Sequence, residues 1–372
     1  MQVTRELRDL SQVVRRIQES FLAEGVDLTD MRRAGSLELN IGLGDGRDPH
    51  DPIPNWPLKI ERLEGPIKPI PVTTTVPGTS RLRYFLDGSQ RTLPVWRVGL
   101  VPIIASITVA GVLERDGDGR ATMLADTLRL NHTWLFPTQT GNRELAQLRD
   151  RIEDAGGTVR DPVAKVLDRK DDPEKARELY GALAGNYGRL VHCAQKTAGE
   201  LREELETSIL LDWQERPMND DNGWIVVDGR LRANVPRAVG LVKELLTQHL
   251  VGAEAEALFN LPAGHRTSAF RYVSRGRDEE DTEERGAEGR TMWYLRLWDA
   301  AGQDARHALV RIEAAHDVAD TVAINRLSSW LLAERIPRAT QDARWATLLY
   351  PIHYLEQILK RRVAGVTAGW PP

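Results

Sequence analysis

Residues 83–89 read RYFLDGS, an apolar run that stops at Asp87-Gly88. The same ending recurs in residues 222–230, NGWIVVDGR, where Trp224 to Val227 run into Asp228-Gly229. Asp-Gly is a favoured hairpin-turn dipeptide, because Gly, and less readily Asp, tolerates positive φ. Residues 114–121, ERDGDGRA, have charged flanks and read as such a turn. Asp87 and Asp228 differ, since each abuts an apolar segment. A carboxylate at the end of a buried strand is costly to ionise unless an arginine or a metal ion meets it. The two stretches therefore predict a pair of buried strands, each ending on a carboxylate delivered to a shared site.

The rest of the chain reads as a mixed α/β protein. It has 372 residues, enough for one large domain or two ordinary ones, and the 41% hydrophobic content with ten Trp suits a folded core. A single cysteine, Cys193, excludes a disulfide framework and a cysteine-based zinc site, and suits a reducing cytoplasm. The first twenty residues are charged throughout and carry no signal-peptide pattern. The most apolar stretch, residues 98–113, is too short for a membrane helix and contains Pro102, so it reads as one or two buried strands. No membrane association is expected. The formal charge of −4 carries no nucleic-acid signal by itself. Local charge is different: Arg81, Arg83, Arg91 and Arg97 surround the first Asp-Gly, and Arg230, Arg232 and Arg237 follow the second.

Leu7, Leu10, Val13, Val14, Ile17 and Leu22 form a helical stripe, followed by a proline-dense segment. This predicts an N-terminal helix on an extended arm over residues 1–75, able to pack on the body or clasp a partner. Residues 76–372 form the expected core. Its strands lie in LRYFLDGS, in residues 93–114 and in ATMLADTLRL, with a helical insertion at about 141–200. One helix is expected over residues 172–213, then a strand at 223–229 and a strand turning into a helix at 237–251. Three further strands lie within residues 267–275, 291–299 and 308–315. Two more helices are expected at 318–336 and 342–362. The charged segment 276–289 reads as a solvated hairpin loop.

Hard divalent cations take oxygen ligands, and phosphoryl-transfer sites commonly hold two of them about 3.5–4 Å apart. Neighbouring strand ends supply two carboxylates, and a third must come from a helix beside them. Residues 201–213, LREELETSILLDW, carry Glu203, Glu204, Glu206 and Asp212. Glu206 lies closest to the apolar stripe of Leu205, Ile209 and Leu210 and is the one expected to face inward, with Glu203 in reserve.

Taken in order, these segments resemble the NurA nuclease family, the partners of HerA-type hexameric ATPases. The resemblance rests on Asp87-Gly88-Ser89, on Arg202 and Glu206 ahead of Asp228-Gly229-Arg230-Leu231, and on AVGLVK ending at Lys243. It continues through WYLRL at 293–297, VRIE ending at Glu313, and Tyr350-Pro351. It covers about residues 82–360. The family's closing motif has a histidine where this chain has Ile358, with His353 one turn earlier. The resemblance implies an RNase H-like mixed sheet flanked by helices, working as a homodimer that cuts DNA with Mn²⁺ or Mg²⁺. Asp87, Glu206 and Asp228 would be the metal ligands, and Lys243 would hold a phosphate or the attacking water. Arg83, Arg91, Arg230 and Arg232 would contact DNA, with Tyr350 and His353 as further site residues. A HerA-like ATPase would feed DNA to the enzyme in end processing or anti-phage defence. The competing expectation is a catalytically weak scaffold that binds and regulates a motor ATPase, and Ile358 is the feature that favours it.

Overall fold

The computed structural model describes residues 15–17, 19–20, 23–24, 60–73, 80–168, 172–216, 222–243, 249–273, 289–300, 305–335 and 347–368. Its strands are β1 (Ile60–Arg62), β2 (Pro69–Pro71), β3 (Leu82–Val98), β4 (Val101–Arg115), β5 (Ala121–Met123), β6 (Arg129–Leu135) and β7 (Thr158–Arg160). They continue with β8 (Trp224–Asp228), β9 (Ala238–Val242), β10 (His265–Thr267), β11 (Phe270–Tyr272), β12 (Thr291–Arg296) and β13 (Leu309–Ala314). The α-helices are α1 (Arg143–Asp154), α2 (Pro173–Ala184), α3 (Tyr187–Glu215), α4 (Ala253–Phe259), α5 (Thr321–Ala333) and α6 (Tyr350–Val366).

The strands form one mixed sheet with the order β1-β11-β12-β13-β9-β8-β3-β4-β6-β7, and β2, β5 and β10 lie off this path. β3, β4 and β6 are antiparallel neighbours, whereas β8 and β9 add in parallel on the other side of β3. Strands with both faces covered read as nearly continuous apolar runs. β9, AVGLV, is buried at every position. On one face, Phe85, Val226, Val239, Trp293 and Ile312 pack against α5 and α6 through Ile324, Leu331, Ile352 and Leu359. On the other, Leu86, Val112, Ile225 and Val227 pack against Leu205, Ile209, Leu210 and Trp213 of α3. The chain is thus α/β, with helices on both faces of a mixed sheet.

Several expectations are corrected. β3 does not end at Asp87-Gly88: it runs for 17 residues and pairs with β4 from Tyr84 to Val98, so Asp87 sits mid-strand. The hairpin turn comes at Gly99-Leu100, with Gly99 at φ +58°. The single helix expected over 172–213 is two, broken at Gly185. There Asn186 caps the new helix by accepting from Arg189 N. The last helix starts at Tyr350, with Pro351 in its first turn, rather than upstream. The 141–200 segment contains α1, β7 and α2, and its last helix, α3, continues beyond it to Glu215.

Within the expected arm, residues 60–73 supply β1 and β2 to the sheet. Ile17 is buried among Trp96, Ile103, Trp134 and Val366, so this part of the N-terminal stripe packs on the body. Leu7, Leu10, Val13, Val14 and Leu22 lie outside the described residues, as do the charged loop at 274–288 and residues 244–248 of the helix expected after Lys243, whose last positions, 249–251, are not helical. Among the described residues, no helix is long and apolar enough to cross a membrane.

Candidate active site

The site lies where β8 and β9 stop and β3 runs on. Leu86 pairs with Val227 in the parallel β3–β8 ladder, so the next residues along, Asp87 and Asp228, are neighbours. Ligand sites of open α/β sheets commonly form outside the carboxyl ends of parallel strands. Lys243 is the first residue after β9 and donates to Asp228, with Nζ 2.7 Å from both Oδ1 and Oδ2.

Gly88 admits the third carboxylate. Side chains alternate along a strand, and Gly88 follows Leu86 on the α3 face. An ideal Cβ there would stand 2.2 Å from Glu206 Oε1 and 3.0 Å from Arg202 Cγ, so any side chain at this position would displace the Glu206 carboxyl. Glu206 is buried, as its place beside Leu205 and Ile209 requires. Its carboxylate is 3.4 Å from Arg202 Nε.

Both inner carboxyls are pushed toward their neutral forms. Burial raises the Asp87 pKa well above the usual range, and the nearby Asp228 and Glu206 charges add to this, against Lys243 and Arg202. Burial likewise pushes Glu206 up to about 7, with Arg202 opposing and Asp228 and Glu203 reinforcing. Asp87 Oδ1 accepts from Gly88 N at 2.8 Å, whereas Oδ2 is buried with no hydrogen-bond partner. Arg202 is desolvated, yet the surrounding Glu206, Asp87, Glu203 and Asp228 hold its pKa above the ordinary value. Two cations, Arg202 and Lys243, thus compensate three crowded acids.

Among the described residues, no three His, Cys, Asp or Glu side chains stand close enough together to hold a metal ion. Lys243 engages both Asp228 oxygens, and Glu206 lies against Arg202 and Gly88. The donor chemistry nevertheless suits a hard cation: three carboxylates, one with an orphaned buried oxygen.

The other expected residues divide. Glu203 pairs with Arg232, so the reserve ligand is engaged elsewhere. Arg230 and Arg232 follow Asp228 directly, in the segment where Leu231 N donates to Glu313. Arg83 and Arg91 do not join them. Arg83 Nη2 is 2.8 Å from Glu114 Oε1, and Arg91 donates to Thr367 beyond α6. Tyr350 is exposed, and its N–H donates to Glu334 O. Glu334 binds Arg115, which donates to Leu82 O, so Tyr350 lies toward the Leu82 end of β3. Leu82 is five residues from Asp87, roughly 16 Å along an extended strand. His353 is half-buried, 3.8 Å from Glu356 Oε2 within α6. Ile358 is partly buried against the main core.

Sequence reasoning placed Arg202 in the motif but gave it no role; its four-residue spacing from Glu206 was the available signal. The pairing of Lys243 with Asp228 had no local signal at all. No protein-family model matches the chain, and a search of curated proteins finds no match.

Proposed function

We propose that the chain is a metal-dependent DNA nuclease of the NurA type. The observation that carries this is that Asp87, Asp228 and Glu206 lie near enough to perturb one another's charge, around a glycine that leaves space for the third carboxyl. An RNase H-like reading is supported by the connectivity: three antiparallel strands, then α3, then two parallel strands beside the first.

Asp87, Asp228 and Glu206 would hold Mn²⁺ or Mg²⁺. Such an ion supplies an ionised water for in-line attack on a phosphodiester and neutralises charge on the leaving oxygen. The protein's own part is orientation and charge. Asp87 is fixed by its short bond to Gly88 N and by burial. Lys243, when released from Asp228, is a compact cation at the strand end, suited to a phosphate oxygen. Arg202 is a second cation whose Nε has no hydrogen-bond partner. Homodimer formation and a HerA-like motor partner belong to the same proposal and rest on the resemblance.

A second reading, a weakly catalytic scaffold for a motor ATPase, is favoured by one observation: Lys243 and Arg202 already engage Asp228 and Glu206. Incubating the purified chain with end-labelled single- and double-stranded DNA in Mn²⁺, Mg²⁺ or EDTA separates the two. The nuclease reading expects metal-dependent cutting that Asp87→Ala abolishes while remaining folded. No cutting with either metal, even after the cognate ATPase is added, would favour the scaffold.

A further inference from the structure

Beyond Asp228, the face of the sheet that α3 covers, on which Gly88 and Gly240 lie, carries an arginine cluster that the carboxylate site does not use. Met292 pairs with Glu313 and Tyr294 with Arg311 across the β12–β13 ladder, which puts Arg290, Glu313 and Arg311 on one face. Glu313 is fully buried, accepts hydrogen bonds from two residues and pairs at longer range with a third. Arg311 Nη2 is 2.7 Å from its Oε1, Leu231 N donates to Oε2 at 3.0 Å, and Arg290 Nη1 stands 3.7 Å away. Two nearly buried guanidiniums therefore share one carboxylate. Arg311 is 2% exposed, yet its Nη1 has no hydrogen-bond partner. Buried arginine donors are ordinarily satisfied, and an orphan of this kind calls for an explanation.

The segment after Asp228 brings further positive charge. Burial lowers the Arg290 pKa, Glu313 opposes this, and Arg232 and Arg230 push it down further, so three guanidiniums crowd one another. Arg230 is half-buried and Arg232 exposed, and they form the outer side of the cluster. The neighbouring histidine adds no charge of its own: burial, Arg311 and Arg230 hold His249 neutral, with Nδ1 3.3 Å from Tyr294 Oη. Arg296, on the same face, differs because it donates to four backbone carbonyls and is used up structurally.

We infer that Arg290 and Arg311, with Arg230 and Arg232 at the mouth, form an anion site that takes a phosphate group of a nucleic-acid strand lying across the carboxyl ends of β8 and β9. Arginine suits this because its planar fork binds phosphate oxygens in pairs. β13 lies three strands from β3, about 14 Å across the sheet, so one strand can reach both this site and Asp87. Naming nucleic acid as the source rests on the nuclease reading; the anion site itself does not.

Two measurements in EDTA, where no cleavage intrudes, test it. In the wild-type chain, inorganic phosphate should raise the melting temperature above that in chloride of equal ionic strength, and Arg290→Gln should lose the rise. For a single-stranded oligonucleotide, the slope of log affinity against log salt should fall by about 0.7 in Arg290→Gln, the equivalent of one phosphate contact. Arg290→Lys should keep the slope with weaker binding. Loss confined to a 5′-phosphorylated oligonucleotide would place a strand terminus in the site, and equal loss with a 5′-hydroxyl one would place an internal phosphodiester there. No phosphate effect on the wild type, or an unchanged slope and affinity in Arg290→Gln, would overturn the assignment. Intact cleavage with an unchanged slope would overturn it while leaving the nuclease reading standing. No metal-dependent cleavage by the wild type, with its phosphate effect present and lost in Arg290→Gln, would overturn the nuclease reading and leave the anion site standing.

Discussion

Glu206 presses its carboxyl against the bare backbone of Gly88, out of water and beside two other acids. Its pKa of about 7, against an ordinary 4.5, makes folding depend on pH in a defined direction. Between these values the native chain binds a proton that the unfolded chain has released. That contribution is complete below about pH 4.5 and is lost as pH rises toward 7. The metal-free protein should therefore lose stability from pH 5 to 7.5, by a few kcal/mol, with Asp87 acting in the same sense. Glu206→Gln should flatten this profile in thermal melts and raise the melting temperature near pH 8, while abolishing cleavage. A profile unchanged by the substitution would show that Glu206 is ionised in the apo state. The choice of Glu206 over Glu203 was legible because Leu205, Ile209 and Leu210 mark the inward side of the helix. That Arg83 and Arg91 point to separate partners was not, since nothing local distinguishes a strand arginine facing Glu114 from one facing DNA.

At the level of elements, α3 runs antiparallel to β3, with Gly199 near Gln90, Glu206 over Gly88 and Trp213 against Tyr84. That contact line turns one helix into the arm that delivers an acid to the middle of a strand. The middle position itself was hidden. The run YFLDGSQR looks like a strand ending in polar residues, whereas pairing to β4 on one side carries β3 onward after β8 has stopped on the other. The break at Gly185-Asn186 had its signals in place, a helix-ending glycine and a capping asparagine, but the apolar stripe runs through them. The turn after Asp228 depends on a second glycine. A Cβ at Gly240 would lie 2.8 Å from Gly229 O and from Leu231 N, both backbone atoms that no side-chain rotation can relieve. Gly240→Ala should cost about 1–3 kcal/mol in denaturant unfolding and disturb the segment carrying Arg230 and Arg232. A variant with wild-type stability would mean that this segment shifts freely over β9.

Across the whole molecule, the early segment at residues 60–73 is held to the far half of the sheet. Glu64 receives Arg266 Nη1 and Nη2 at 2.6 and 2.8 Å, and also Ala269 N and Thr321 Oγ1. Arg266 is fully buried. Glu64→Ala would leave that charge unpaired, and removing one partner of a buried pair typically costs about 3–5 kcal/mol. The melting temperature should drop sharply, with cleavage per folded molecule unchanged at low temperature. A negligible drop would mean that the β1–β2 segment contributes little to the fold. The mixed α/β class was readable from the change of hydrophobic period along the chain. The incorporation of 60–73 was not, because three-residue strands flanked by proline carry almost no pattern and depend on partners 200 residues away.

On the proposed reading, Asp87, Asp228 and Glu206 bind a divalent cation once their protons and the Lys243 and Arg202 contacts are released. Titrating Mn²⁺ into the purified chain at pH 8, and following free Mn²⁺ by its paramagnetic resonance signal, tests this directly. Uptake by the wild type that weakens toward pH 6 and is lost in Asp87→Asn and Asp228→Asn is the predicted result. Wild-type uptake that both variants retain, or no uptake at any pH with DNA present, would contradict it.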